Sequence, residues 1–419
     1  MGDRRVTVRH IRAALMGGVC LLVVGLSCDE ELRRNQYSLA TLPPPEYDTF
    51  RPPPAGETYT DPVFGTRIKR LTDTHNVIGF NGERSMFSLD DGYFLIAVKP
   101  PGALRLFNGR TGEFIKDLPL DLPDLTVVRW SYDPETIVYP SGRKLMGYNM
   151  RTEKETTIAE FPEPLGNEKG RLCGGDGNDL DDRGEWLLMN HGPRMFAYNI
   201  RTGETGPEKD MSEYKVDYVT ISPSGRYILG NLCDAGILIW DRDWRLKRRL
   251  LPCGSHLDMG FLNGTEECVV SRIPSRGEGK AWWDRLGVDG GDVVAARCSD
   301  GKVVKLLKSD HWLMFMASAV GGQNRRFVVL AIESHGYDPA EKWGRYLGEL
   351  VAVPLDGSLR VRRLVHHRCR THDRSVHTFW DQPEAWINHA GDRLFFRSNM
   401  ASHGKEGRHD LFMISLPIE

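Results

Sequence analysis

From Thr66 onward, short apolar runs alternate with Ser/Asp/Gly turns, and the pattern repeats along the chain. The first copy reads RSMFSLDDGYFLIAVKPPGALRLFNGRTGEFIKDL, the second VVRWSYDPETIVYPSGRKLMGYNMRTEKETTI, the third NDLDDRGEWLLMNHGPRMFAYNIRTGET and the fourth DYVTISPSGRYILGNLCDAGILIWDRDWRLKRRL. Three further copies are interrupted. They begin at HLDMGFLNG, FMASAVGGQ and EAWINHAGD, and each resumes after a longer insertion. Each copy holds three or four apolar segments of strand length, separated by turn residues. A period of about 40 residues built from four strands predicts a β-propeller blade. One blade cannot bury both of its faces, so neighbours must stack and the ring must close. The predicted fold is therefore all-β, a seven-bladed β-propeller. The last copy is one strand short. The orphan segment TRIKRLTD (Thr66–Asp73) is predicted to be its outer strand, joining the two ends of the chain.

Strand direction alternates within a blade, so the loops sort by face. The turns of the SPSG and RTGE type lie on one face. The loops entering each first strand, and those between second and third strands, lie on the other. In copies five to seven the latter become long: IPSRGEGKAWWDRLGVDGG, ESHGYDPAEKWGRYLG and NMASHGKEGR. The loop entering copy seven, within LVHHRCRTHDRSVHTFWDQPEAW (Leu364–Trp386), shares their face. Long loops on a closed scaffold commonly carry function. These are rich in cations and aromatics, a combination that suits an anionic, partly flat ligand. The candidate ligand-binding residues are Arg368, Arg370, Arg374, Gln382, Trp283, Tyr337, Trp343 and Arg345. Polar residues just before the first strands, among them Asp217, His256, Asp258, His311, His366 and His367, are expected near the channel mouth.

The composition, 40% apolar and 27% charged with a net charge of −2, is globular and points to no nucleic-acid partner. The N-terminus changes the picture. A basic start, MGDRRVTVRHIR, leads into AALMGGVCLLVVGL, which is shorter than the ~20 apolar residues a spanning helix needs. The run ends in VGLSC. This resembles the lipobox of bacterial lipoproteins, with Gly25 where Leu is usual, and implies cleavage before Cys28 and lipidation of that cysteine. The expected organisation is a signal peptide over 1–27, a Pro-rich tether over 28–62 and the propeller over 63–419. The expected location is the bacterial cell envelope, extracytoplasmic, with membrane contact through the lipid alone. Beyond Cys28 six cysteines remain, with no zinc-finger spacing, and are read as isolated buried thiols.

The segments SHLDMGF, HHR and QPEAWINHAGDRLFFRSN, together with the repeat, resemble the TolB-like propellers that include oligogalacturonate lyase. That resemblance implies a metal held by histidines and a glutamine, and β-elimination from a uronic acid. Gln382 matches the glutamine, but the positions three and five further on, where the family has histidines, are Ala385 and Ile387. His256, His366, His367 and Gln382 remain the candidate metal ligands, with no cofactor assigned. His256 and His367 are the candidate catalytic bases. The reading preferred from the sequence is a monomeric, lipid-anchored propeller holding an acidic oligosaccharide or an envelope protein. A polysaccharide lyase and an envelope scaffold are the alternatives.

Overall fold

A computed structural model of the chain describes residues 30–78, 86–99, 102–122, 127–166, 180–274, 280–308, 313–318, 326–334, 342–370, 382–402 and 408–416. The expected signal peptide and Cys28 lie outside them. Seven antiparallel sheets form the ring. Each seam between blades is filled by apolar residues from both sides. Blades five and six share Val270, Val293, Leu330 and Val351. Blades six and seven share Val329, Leu350, Ala385 and Phe396. The last seam, between blades seven and one, is aromatic: Phe94 lies 4.4 Å from Phe395 and 5.9 Å from Trp386, centroid to centroid.

The turn between third and fourth strands is chemically identical in the first three blades. The side-chain oxygens of Asn108, Asn149 and Asn199 each accept from the backbone N–H groups two and three residues on. Asparagine makes this turn because its short amide can mimic a backbone acceptor. The left-handed position that follows is Gly112, Glu153 and Gly203 in turn, with φ of 70°, 57° and 76°.

Closure follows the expected route. Arg67–Arg70 pairs antiparallel with Asp410–Ser415, so an N-terminal strand completes blade seven. A further strand, Thr58–Thr60, adds outside it and makes a five-stranded sheet. The junction is pinned by Asp410, which is fully buried and accepts from Arg70 Nη2 (3.0 Å), Thr72 Oγ1 (2.9 Å) and the His75 N–H (3.0 Å).

Residues 36–42, within the expected tether, run along the outer strand of blade six, Arg362–His366, and are held through their backbone carbonyls. The Arg363 N–H donates to the Gln36 carbonyl, and the Arg363 guanidinium donates to those of Ser38 and Ala40. Prolines stiffen this segment, but its carbonyls supply the acceptors that dock it. The Arg363 fork is itself buried against Glu349, with Nε 2.7 Å from Oε2. Removing one partner of a buried ion pair costs about 3–5 kcal/mol. Asp410→Ala should therefore lower the unfolding free energy by about that amount in a denaturant titration. A loss below about 1 kcal/mol would show that Asp410 does not pin the closure.

Candidate functional site

The stretch that drew attention in the sequence begins at the end of blade six's outer strand. Its first residues face the docked N-terminal segment rather than an open cleft. His366 is fully buried and stacked 4.7 Å from Phe64. Its Nδ1 lies 2.9 Å from the Asp61 carboxylate and its Nε2 lies 2.8 Å from the Leu42 carbonyl. Both ring nitrogens are thus within hydrogen-bond distance of oxygens of the docked segment. Burial pushes the Asp61 carboxyl up, but the charge and hydrogen bonds of His366 outweigh burial and hold it below its usual range.

His367 is also fully buried. Its Nδ1 accepts from the Cys369 N–H at 3.0 Å and its Nε2 is 2.9 Å from the Ile332 carbonyl. These partners fix one neutral tautomer, with the proton on Nε2. Burial holds its pKa down to about 4. His367, the candidate base and metal ligand, thus has both nitrogens occupied by backbone.

The arginines that follow behave alike. Arg368 is buried, donates to the Pro45 carbonyl and lies 4.0 Å over the Phe50 ring. Arg370 lies 4.3 Å over Tyr47, donates to its carbonyl and pairs with Asp48 at 3.3 Å. Trp343 meets Tyr47 edge-on at 5.2 Å. Arg368, Arg370 and Trp343, expected on a ligand surface, are engaged with residues 45–50. Trp283 is another of the candidate ligand-binding residues. It lies on the helix Lys280–Leu286 and is buried with Ile273, Val288 and Val294. Arg345 is half-buried, 5.4 Å over Tyr346. Arg374 and Tyr337 lie outside the described residues. So does the side chain of His256, whose backbone sits at the start of the strand Ser255–Leu262.

Gln382 behaves differently. It is 1% exposed, and neither its amide nitrogen nor its oxygen has a hydrogen-bond partner among the described residues. It stands just before blade seven's first strand, Glu384–Ile387, on the face where the inner strands begin. The same face carries charged groups that sequence reasoning missed. Glu384 and Arg397 pair at 3.0 Å, both almost fully enclosed. Arg272 ends blade five's second strand, Glu266–Arg272. Its register neighbours Cys268 and Val270 pack toward blade six, so Arg272 stands in the seam between these blades. It is 7% exposed, its Nε has no hydrogen-bond partner, and no carboxylate neutralises it among the described residues. Burial alone lowers its pKa. The available signal was a charge ending an otherwise apolar run, VVSR.

Among the described residues the donor set does not assemble into a metal site. Gln382 offers a free amide, but Ala385 and Ile387 are buried apolar residues of the core between blades six and seven. Among the described residues no three His, Cys, Asp or Glu side chains converge as ligands.

No protein-family profile matches this chain, and no curated protein matches its sequence. Solved structures do. An oligogalacturonate lyase from Vibrio parahaemolyticus superposes with a TM-score of 0.58 at 14% identity, over 86% of this chain and 96% of that one. An oligogalacturonate lyase in complex with manganese superposes at 0.59 and 15% identity, over the same shares. At this identity the likeness establishes an oligogalacturonate-lyase-like propeller fold.

The buried imidazole sets a pH dependence. The unfolded chain takes up the His367 proton near 6.5, whereas the folded chain does so only near 4. Stability should therefore fall as pH drops through that window, by on the order of 3 kcal/mol. Asp61, held below its usual range, adds a loss of the same sign at lower pH. The melting temperature should decline from about pH 7 to 5, and less steeply in His367→Gln. Parallel declines in the two proteins would refute the assignment.

Proposed function

We propose that this chain is an envelope lipoprotein whose propeller holds an acidic oligosaccharide on the face where the inner strands begin. One observation carries the reading: Arg272 is a buried guanidinium with no counter-ion among the described residues. An unpaired buried charge is costly to the fold, and a ligand carboxylate would supply the missing partner. Arginine binds a carboxylate through two parallel N–H donors, which suits the repeated carboxyl groups of a uronate chain. Gln382, with neither amide atom partnered among the described residues, adds a donor and an acceptor of the kind that sugar hydroxyls meet. The VGLSC sequence before Asp29 supports the lipid anchor at Cys28.

A second reading, β-elimination from the same ligand, is favoured by the fold likeness to two oligogalacturonate lyases. Elimination needs a cation beside the carboxylate, to acidify the adjacent C–H, and a base to take the proton. Arg272 could serve the first role. With His366 and His367 engaged by the fold, His256 is the remaining candidate from the sequence for the second.

Calorimetric titration of the full chain with short oligogalacturonates tests both readings. Binding should weaken with salt, and Arg272→Gln should reduce affinity roughly ten- to hundred-fold, as loss of a charged hydrogen bond implies. The same variant should melt no lower than the wild type, because it removes a buried charge with no partner among the described residues. Equal affinities of the two proteins would rule out Arg272 as the anchor. Ultraviolet-absorbing unsaturated product, lost in His256→Ala, would replace the binding reading with the lyase.

A further inference from the structure

The N-terminal residues meet the propeller at the outer edge of blades six and seven. The short helix over 30–35 is fastened there. Leu32 sits against the 61–65 turn so closely that a Cβ on Gly65 would stand 3.0 Å from its Cδ1. The side-chain amides of Asn35 and Gln36 donate to the carbonyls of Val63 and Phe64 at 3.1 and 2.8 Å. Leu32 is thus held on the body four positions after Cys28. Four residues reach about 14 Å at most. A lipid on Cys28 would leave only a short spacer between bilayer and propeller.

The wall at this point has the chemistry of a membrane-contacting surface. Tyr37, Leu39 and Leu359 are among the few large apolar side chains in the open, at 43%, 68% and 51% exposure. Arginines surround them. Arg33, Arg34, Tyr37 and Arg362 line one open cavity of about 910 Å³, together with Glu30 and Glu31. Arg360 lies 5.7 Å over the Tyr37 ring. Four guanidinium groups against the three carboxylates of Glu30, Glu31 and Asp356 leave the patch net cationic. Apolar tips that enter the headgroup layer, flanked by arginines that reach the phosphates, are how interfacial segments hold an anionic bilayer.

We propose that this patch docks on anionic phospholipid, so that the anchored protein lies flush on the membrane by the outer edge of blades six and seven. The proposal rests on the lipid-anchor reading above. It also sets the orientation. The turn carrying Leu359 and Arg360 joins the third and fourth strands of blade six, Glu349–Pro354 and Arg362–His366, on the side of the ring opposite the start of the inner strands. Arg272 and Gln382 are then turned away from the lipid.

The full chain, purified from bacterial membranes, is floated with vesicles of phosphatidylcholine alone and of phosphatidylcholine with phosphatidylglycerol. The mass of the Cys28 peptide is recorded in parallel. Amide exchange over 30–40 and 356–362 should slow on the phosphatidylglycerol vesicles relative to detergent micelles, and salt should reverse this. The double variant Arg34→Gln/Arg360→Gln should lose the protection at an unchanged melting temperature. Any unacylated fraction of it should partition roughly thirty-fold more weakly than unacylated wild type, from about 1 kcal/mol per arginine. An unacylated wild-type chain that still floats, reversibly with salt, upholds docking while refuting the anchor. An acylated chain that floats without protection upholds the anchor and overturns docking. A chain that does not float on phosphatidylglycerol overturns docking as well.

Discussion

The pairing of Arg67–Arg70 with Asp410–Ser415 joins residues from opposite ends of the chain, and the inter-blade cores depend on it. A blade shows an apolar face to each neighbour, so an open ring would leave two such faces in water. The aromatic packing of Phe87, Phe94, Trp386 and Phe395 forms only when blade seven meets blade one. Asp410 holds the joint with three donors from the N-terminal side. The extra strand Thr58–Thr60 then covers the edge that closure would otherwise leave open.

That joint decides which polar groups are free for chemistry. Bringing the N-terminus to blade seven lays residues 36–64 along blade six. Their carbonyls and carboxylate occupy Arg363, His366, Arg368 and Arg370. A run of histidines and arginines, which suggests a metal or anion site, is used instead to fasten one segment of chain to another. Arg272 and Gln382 stand outside this arrangement. Each is buried at a cost and has no partner that repays it among the described residues, a pattern expected where function rather than stability selects the residue.

The propeller was legible because its signals are periodic and local: apolar runs of strand length, and the Asn-centred turns of blades one to three. The closing strand was legible because a ring with one strand missing needs one from elsewhere. The docking of residues 36–47 was not, because its acceptors are backbone carbonyls, which every residue type carries and no sequence distinguishes. Proline clusters report local stiffness and say nothing of distant donors. Trp283 was misplaced because a helix as short as Lys280–Leu286 is too brief to display a 3.6-residue period. Arg272 escaped notice because one arginine after an apolar strand reads as a solvated end, and its burial depends on the neighbouring blade.

The reach of the ring joint has a consequence for synthesis. Arg70 and Asp410 are 340 residues apart. At roughly 5–20 residues per second, the ribosome makes Arg67–Arg70 some tens of seconds before their partner strand exists. Through that interval the N-terminal segment has neither the blade-seven edge nor the blade-six strand to lie on. The chain must be finished before its beginning can dock, so residues 36–70 stay open to solvent and to other proteins until the last blade is complete.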